Sequence, residues 1–262
     1  MNRIQSLFNR KNKDILNIYF TAGYPQLEDT ATIITALEEA GVDLIEVGMP
    51  YSDPMADGPT IQESGQVAID NGMTLATLFE QLKRLRASSD VPLIMMGYFN
   101  QVMQYGEVAF LSKCQEIGID ALILPDLPLD VYEAQYQELF EKYNLKIIFL
   151  ITPQTSEERI RKVDELSNAF IYMVSNASIT GAKSGITDGQ LAYFKRINQM
   201  NLKNPRLIGF GISNHDTFST ACQYANGAII GSAFIRALKG SSDLSKTVRD
   251  FVESIKNLEV IS

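Results

Sequence analysis

Short, almost uninterrupted apolar runs alternate with longer amphipathic stretches from one end of the sequence to the other. This repetition limits the fold more than any other feature. The runs are Ile15–Thr21, Leu44–Gly48, Val91–Met96, Ala121–Leu124, Lys146–Ile151, Phe170–Val174, Arg206–Phe210 and Ala228–Gly231. Runs this short and this apolar are expected of parallel strands buried on both faces. Between them, Asp29–Ala40, Leu75–Ala87, Glu107–Ile117, Val131–Tyr143, Glu157–Leu166 and Gln190–Met200 read as amphipathic helices. In Leu75–Ala87, for example, Leu75, Leu78, Phe79, Leu82 and Leu85 share one face, and Glu80, Lys83 and Arg84 another. Eight such units in 262 residues give about 33 residues each, the dimensions of a (β/α)8 barrel. A doubly wound sheet also alternates, but no Gly-x-Gly-x-x-Gly comes after the first strand. The expectation is a single-domain α/β protein, a (β/α)8 TIM barrel over residues 1–262, with a short N-terminal helix marked by Ile4, Leu7 and Phe8.

Composition removes several function classes. At 45% hydrophobic and 21% charged, the usage is that of a globular chain and excludes a disordered one. The net charge is −8 and no dense Lys/Arg cluster stands out, so no nucleic-acid partner is expected. Cys114 and Cys222 lie far apart and His215 is the sole histidine, which gives neither a disulfide framework nor a metal site. No stretch approaches the roughly 18 apolar residues of a membrane span. Arg3, Arg10, Lys11 and Lys13 could begin a signal peptide, but Asp14 and Asn17 interrupt the apolar segment beside them and no cleavage site appears. A cytoplasmic protein without a membrane partner is expected.

In a barrel, chemistry gathers at the C-terminal ends of the strands and in the loops after them. The second strand, Asp43-Leu-Ile-Glu46-Val-Gly-Met-Pro50, places a carboxylate inside an apolar run. Glu46 is then either outward-facing or ion-paired, or it is buried with a raised pKa, which a general acid–base needs. The next loop, Pro50-Tyr-Ser-Asp53-Pro-Met-Ala-Asp57-Gly-Pro59, carries two more carboxylates, as turn formers or as functional groups. Gly209-Phe-Gly211-Ile-Ser213 and Gly231-Ser232 come after the seventh and eighth runs, where barrels often bind phosphate; the plainer alternative is a pair of tight turns. Ser175-Asn-Ala-Ser-Ile-Thr-Gly-Ala-Lys-Ser-Gly185, small and polar, has the composition of an active-site lid or of an ordinary surface loop.

The segment from Glu46 to Gln62 closely resembles the signature of the tryptophan synthase alpha chain family. The resemblance continues through Tyr19-Phe-Thr-Ala-Gly-Tyr-Pro25, Met96-Gly-Tyr-Phe-Asn100, Pro125-Asp-Leu-Pro128, Ile208-Gly-Phe-Gly-Ile-Ser213 and Gly231-Ser232. It implies cleavage of indole-3-glycerol phosphate to indole and glyceraldehyde 3-phosphate, without a cofactor. It also implies a beta chain that takes up the indole, in an alpha2-beta2 assembly. The family's catalytic residues fall on Glu46 and Asp57, and its phosphate contacts on Gly181, Gly211, Gly231 and Ser232, with Phe210 also at the substrate. Tyr172 matches a residue near the substrate, or is a core tyrosine. Tyr19, Tyr98 and Leu124 are candidates by position for an apolar floor under the indole. Thr180 is expected to close onto Asp57, and Pro50, Asp53 and Pro54 to meet the beta chain. The family usually has Gly where this chain has Ser178.

Other aldolase chemistries fit the residues less well. A Schiff-base enzyme needs a strand lysine at the active end, and Lys146 begins its strand while Lys183 lies in a loop. A metal-dependent aldolase needs more ligands than His215 offers, and that residue reads as a loop or helix start. Another phosphate-binding barrel of the same pathway, or a barrel-shaped regulatory subunit with little activity of its own, are the remaining alternatives.

Overall fold

The computed structural model describes residues 2–175, 186–209 and 211–257. Strands β1 (Ile15–Thr21), β2 (Leu44–Gly48), β3 (Leu93–Met96), β4 (Ala121–Ile123), β5 (Lys146–Ile147), β6 (Leu150–Ile151), β7 (Ile171–Val174), β8 (Arg206–Gly209) and β9 (Gly227–Ile230) are all parallel. Their order is β5-β4-β3-β2-β1-β9-β8-β7-β6.

The two ends of that order belong to one apolar run. β5 pairs with β4, and β6 with β7. Between them, the Ile148 amide donates to the Leu122 carbonyl at 3.1 Å and the Tyr172 amide to the Phe149 carbonyl at 3.0 Å. The sheet therefore closes on itself through the fifth strand, giving the expected barrel. The fifth strand is not the continuous Lys146–Ile151 segment expected from sequence. It changes partner half-way, where the staggered register of a closed sheet has to be made up.

Helices α1 (Arg3–Arg10), α2 (Asp29–Glu39), α3 (Pro59–Asp70), α4 (Leu75–Arg86), α5 (Phe99–Tyr105), α6 (Glu107–Ile117), α7 (Leu129–Val131), α8 (Gln137–Lys142), α9 (Glu157–Leu166), α10 (Asp188–Gln199), α11 (His215–Cys222), α12 (Ser232–Leu238) and α13 (Leu244–Lys256) complete the fold. A π-helical turn, Tyr132–Tyr136, joins α7 to α8. Several starts are fixed by side-chain caps: Thr74, Ser156, Asn214 and Asp243 each accept a backbone N–H of the first turn.

Strand residues alternate between two apolar layers. Ile15, Leu44, Ile94, Ala121, Ile148, Phe170, Leu207 and Ile229 fill the barrel interior. Leu16, Ile18, Phe20, Ile45 and Val47 pack outward against the helices. Helix α1 closes the N-terminal mouth: Ile4 and Leu7 join the interior layer, and the Phe8 ring lies 6.1 Å from that of Phe170. It is anchored by Asp120, whose carbonyl accepts from the Asn2 amide at 2.9 Å and whose carboxylate accepts from the Arg3 backbone at 3.2 Å. Arg86 donates to the same carboxylate at 3.2 Å. With this end plugged, the C-terminal mouth is the end left to bind a ligand.

Candidate active site

Alternation along β2 turns Glu46 inward between Leu44 and Gly48, and the side chain is fully buried at 0% exposure. Its Oε1 accepts a hydrogen bond from Asn17 Nδ2 at 2.6 Å, while Oε2 has no partner among the described residues. Burial pushes the Glu46 pKa up to about 8, and the Asn17 hydrogen bond opposes that rise.

Two buried tyrosines stand beside it. Tyr19 pairs with Glu46 across β1 and β2, and Tyr172 lies on β7. Both fit because glycines face them: a Cβ on Gly48 would collide with the Tyr19 hydroxyl, and one on Gly209 with the Tyr172 ring. Burial raises the pKa of both phenols, and the charges of Glu46 and Asp57 raise them further. The two carboxylates thus act on the same pair of phenols.

Asp57 ends the β2–α3 loop, just before Gly58 and the helix-starting Pro59. Its Oδ2 accepts from the Tyr98 hydroxyl at 3.1 Å, and that hydroxyl accepts from the Ala56 backbone at 2.8 Å. Burial raises the Asp57 pKa, and the Tyr98 bond counters it. The Tyr98 phenol is itself pushed up to about 12, by burial first.

Helix α5 holds this loop at several further points. Gln101 Nε2 donates to the Pro50 carbonyl at 2.9 Å, and its Oε1 accepts from the Tyr98 amide at 3.0 Å. Asn100 donates to the Tyr51 hydroxyl at 2.6 Å, and the Tyr51 and Tyr98 rings lie 5.1 Å apart. From the other side, Gln62 donates to the Asp57 carbonyl at 2.8 Å.

The remaining candidates are spread around the same mouth. Gly211 lies just beyond β8 with φ +79°, a backbone state that favours glycine. Gly231 and Ser232 link β9 to α12, and the position of a Cβ on Gly231 lies 3.3 Å from the Tyr19 ring. Tyr19 therefore sits between Glu46 and this second glycine turn. Leu124 is buried beyond β4 in the same apolar cluster as Leu122 and Leu127. Pro50 and Pro54 are half-buried, and Asp53 is exposed with its carboxylate accepting from Ser52 at 2.5 Å. Thr180, Gly181, Phe210, Ser178 and the expected lid lie outside the described residues. His215 starts α11, its Nδ1 2.9 Å from the Ile255 carbonyl, and Lys146 begins β5 at the closed end.

Sequence reasoning missed Asn17 and the residues that brace the loop, namely Tyr51, Gln62, Asn100 and Gln101. For Asn17 the signal was present: an amide in the middle of an otherwise apolar strand, two residues before Tyr19. The loop braces carry no such mark.

A sequence profile described as tryptophan synthase alpha chain matches residues 6–261. The chain is 59% identical over 252 residues to the tryptophan synthase alpha chain of Flavobacterium psychrophilum, covering 95% of this chain and 99% of that one. A tryptophan synthase structure from Mycobacterium tuberculosis superposes with a TM-score of 0.87 at 30% identity, covering 98% of this chain and 97% of that one. A structure of the tryptophan synthase complex from Pyrococcus furiosus gives 0.86 at 30% identity, with 94% and 99% covered. Matched over nearly its whole length in sequence and in fold, the chain belongs to the tryptophan synthase alpha chain family.

Proposed function

We propose that Glu46 is the general acid–base of this enzyme and Asp57 the carboxylate that stabilises charge on the indole. The chain is a carbon–carbon lyase: it cleaves indole-3-glycerol phosphate to indole and glyceraldehyde 3-phosphate, and the indole passes to a beta chain for tryptophan synthesis. The reaction is a retro-aldol and needs an electron sink. A proton delivered to the indole carbon that bears the side chain makes the ring iminium-like, so the substrate supplies its own sink.

Glu46, with a pKa near 8, is mainly neutral at pH 7 and can give that proton. The resulting carboxylate takes the proton of the adjacent side-chain hydroxyl. The carbon–carbon bond breaks, its electrons return to the ring, and the hydroxyl carbon leaves as an aldehyde. Glu46 ends protonated, as it began. An ionised Asp57 balances positive charge at the indole nitrogen while the sink exists.

The observation that carries this reading is a fully buried carboxyl with one oxygen free of partners among the described residues. The test is Glu46→Gln, assayed by the fluorescence of released indole, which stands out because the chain has no tryptophan. The folded variant is expected to lose roughly 10²–10⁴-fold in kcat. Retention of more than about a tenth of the wild-type activity overturns the assignment.

At the other end of the substrate, backbone N–H groups of Gly211, Gly231 and Ser232, with Gly181, bind the phosphate. Two glycine turns at the loops where barrels bind phosphate support this. Tyr19, Tyr98, Tyr172 and Leu124 supply apolar surface for the indole, and the resemblance adds Phe210 to the substrate contacts. Alpha chains of this family pair with beta chains. An alpha2-beta2 assembly, docked through Pro50, Asp53 and Pro54, belongs to the same proposal. So do a single domain over residues 1–262 and a cytoplasmic location. No helix among the described residues is long and apolar enough to cross a membrane.

A further inference from the structure

Asn17 is the one amide on β1, and like Glu46 it is 0% exposed. Its Nδ2 is used once, on Glu46 Oε1 at 2.6 Å, and its Oδ1 has no partner among the described residues. A buried acceptor without a partner is unfavourable, and an apolar side chain of the same volume would bring none of its own, though it would strip Glu46 Oε1 of its donor. Packing therefore does not account for the amide, whereas the short bond to Glu46 does.

We propose that Asn17 is the positioning residue for Glu46: its amide holds Oε1 and leaves Oε2 as the oxygen that exchanges the proton with substrate. The inference rests on the acid–base reading of Glu46. An N–H pointing at Oε1 favours the proton on the other oxygen, because the carbonyl oxygen of a neutral carboxyl is a better acceptor than its hydroxyl oxygen. The neutral carboxyl therefore carries its proton on Oε2. After the transfer, the same N–H stabilises the carboxylate on its buried side, which is the direction a better proton donor requires. Among the described residues no other group near Glu46 does this. Tyr19 on β1 and Tyr172 on β7 interact with it through charge, Asp57 acts on the same phenols, and β3 presents the apolar Ile94 in register.

The experiment measures kcat, KM and their pH dependence for indole release by the full chain in complex with its beta chain. Asn17→Leu, close in volume, removes the donor. The alkaline limb of the profile, near pH 8 in the wild type, is expected to move up by about one pH unit. kcat at pH 7 should fall roughly tenfold, with KM changed less than about twofold. Asn17→Asp, nearly isosteric, sets two carboxyl groups at hydrogen-bond distance to share a proton, so the limb should move up further. Should Asn17→Leu fail to fold, judged by circular dichroism, Asn17→Asp decides by the same readouts.

A wild-type limb and kcat in the folded variants overturn the proposal. So does a rise in KM with the limb unmoved, which would make the amide a substrate contact. Glu46→Gln in parallel separates the two levels. If Glu46→Gln keeps its activity, the acid–base reading falls and takes this inference with it. If Glu46→Gln is inactive while the Asn17 variants behave as wild type, only the role of Asn17 falls.

Discussion

A carboxyl whose pKa burial lifts to about 8 affects folding as well as chemistry. In the unfolded chain a glutamate titrates near 4.3, so the native state holds the Glu46 proton more tightly. Linkage fixes the sign of the effect. The stabilisation from this proton is fully present below the unfolded pKa and is lost as pH rises through the folded one. Glu46→Gln cannot ionise and escapes that loss. The variant is expected to be more stable than the wild type at pH 9 by an amount on the order of a few kcal/mol, with the gap closing towards pH 5. Denaturant melts at pH 5, 7 and 9 check this; an equal gap at all three would mean the carboxyl is hydrated. At this scale the sequence was informative where a residue type clashed with its setting. The burial of Glu46 was legible because a carboxylate sat in an apolar run. Asn17 broke its run in the same way, but near the N-terminus the break read only as an interruption of a signal-like segment. Its meaning needed the β1–β2 register, which places Asn17 beside Leu44 and its amide within reach of Glu46.

The β2–α3 loop and α5 form one element in practice. Tyr98 is the hinge between them, since its hydroxyl joins Asp57 Oδ2 to the Ala56 backbone. Tyr98→Phe keeps the ring against Tyr51 but removes the donor that favours the ionised Asp57. The Asp57 pKa, already raised by burial, should rise further, and an ionised Asp57 is the form the proposed mechanism uses. Activity is therefore expected to fall roughly tenfold, with the acid limb of the pH profile moved upward and the fold unchanged. An unmoved acid limb would detach Tyr98 from the titration of Asp57. Little of this bracing was legible, because Gln101 reaches Pro50 and Asn100 reaches Tyr51 across about fifty residues of sequence. Motifs mark the loop but not what it leans on. The split fifth strand was hidden for a related reason. Nothing in Lys146–Ile151 marks a break, which arises only when β4 and β7 claim opposite halves of one run. The eight-fold alternation itself was plain, since burial on both faces requires apolar strands wherever they sit.

Considered whole, the molecule is a barrel closed at one mouth by α1, with Glu46, Asp57 and the open β2–α3 loop at the other. Asp57 lies only a few residues from Asp53, Pro54 and Met55, and Met55 is 81% exposed, the most solvent-open large apolar side chain among the described residues. A loop fixed on one side by α5 and open on the other can be shifted by whatever covers the open side. If the isolated chain holds Asp57 correctly for only a fraction of the time, covering Met55 raises that fraction and the rate together. Addition of a beta chain is thus expected to raise kcat of indole release by about tenfold or more. Met55→Asp places a charge on that open side and leaves in place the backbone bonds of residues 55 and 56 to the Tyr98 hydroxyl. It should weaken the affinity for the beta chain by roughly tenfold or more while the isolated chain turns over at its usual rate. Titration of each variant with beta chain, tracked by released indole, gives both quantities from one curve. Should the isolated chain already match the complex, or Met55→Asp respond to beta chain as the wild type does, the open side of the loop is not where the partner acts, and activation would have to enter through another face of the barrel.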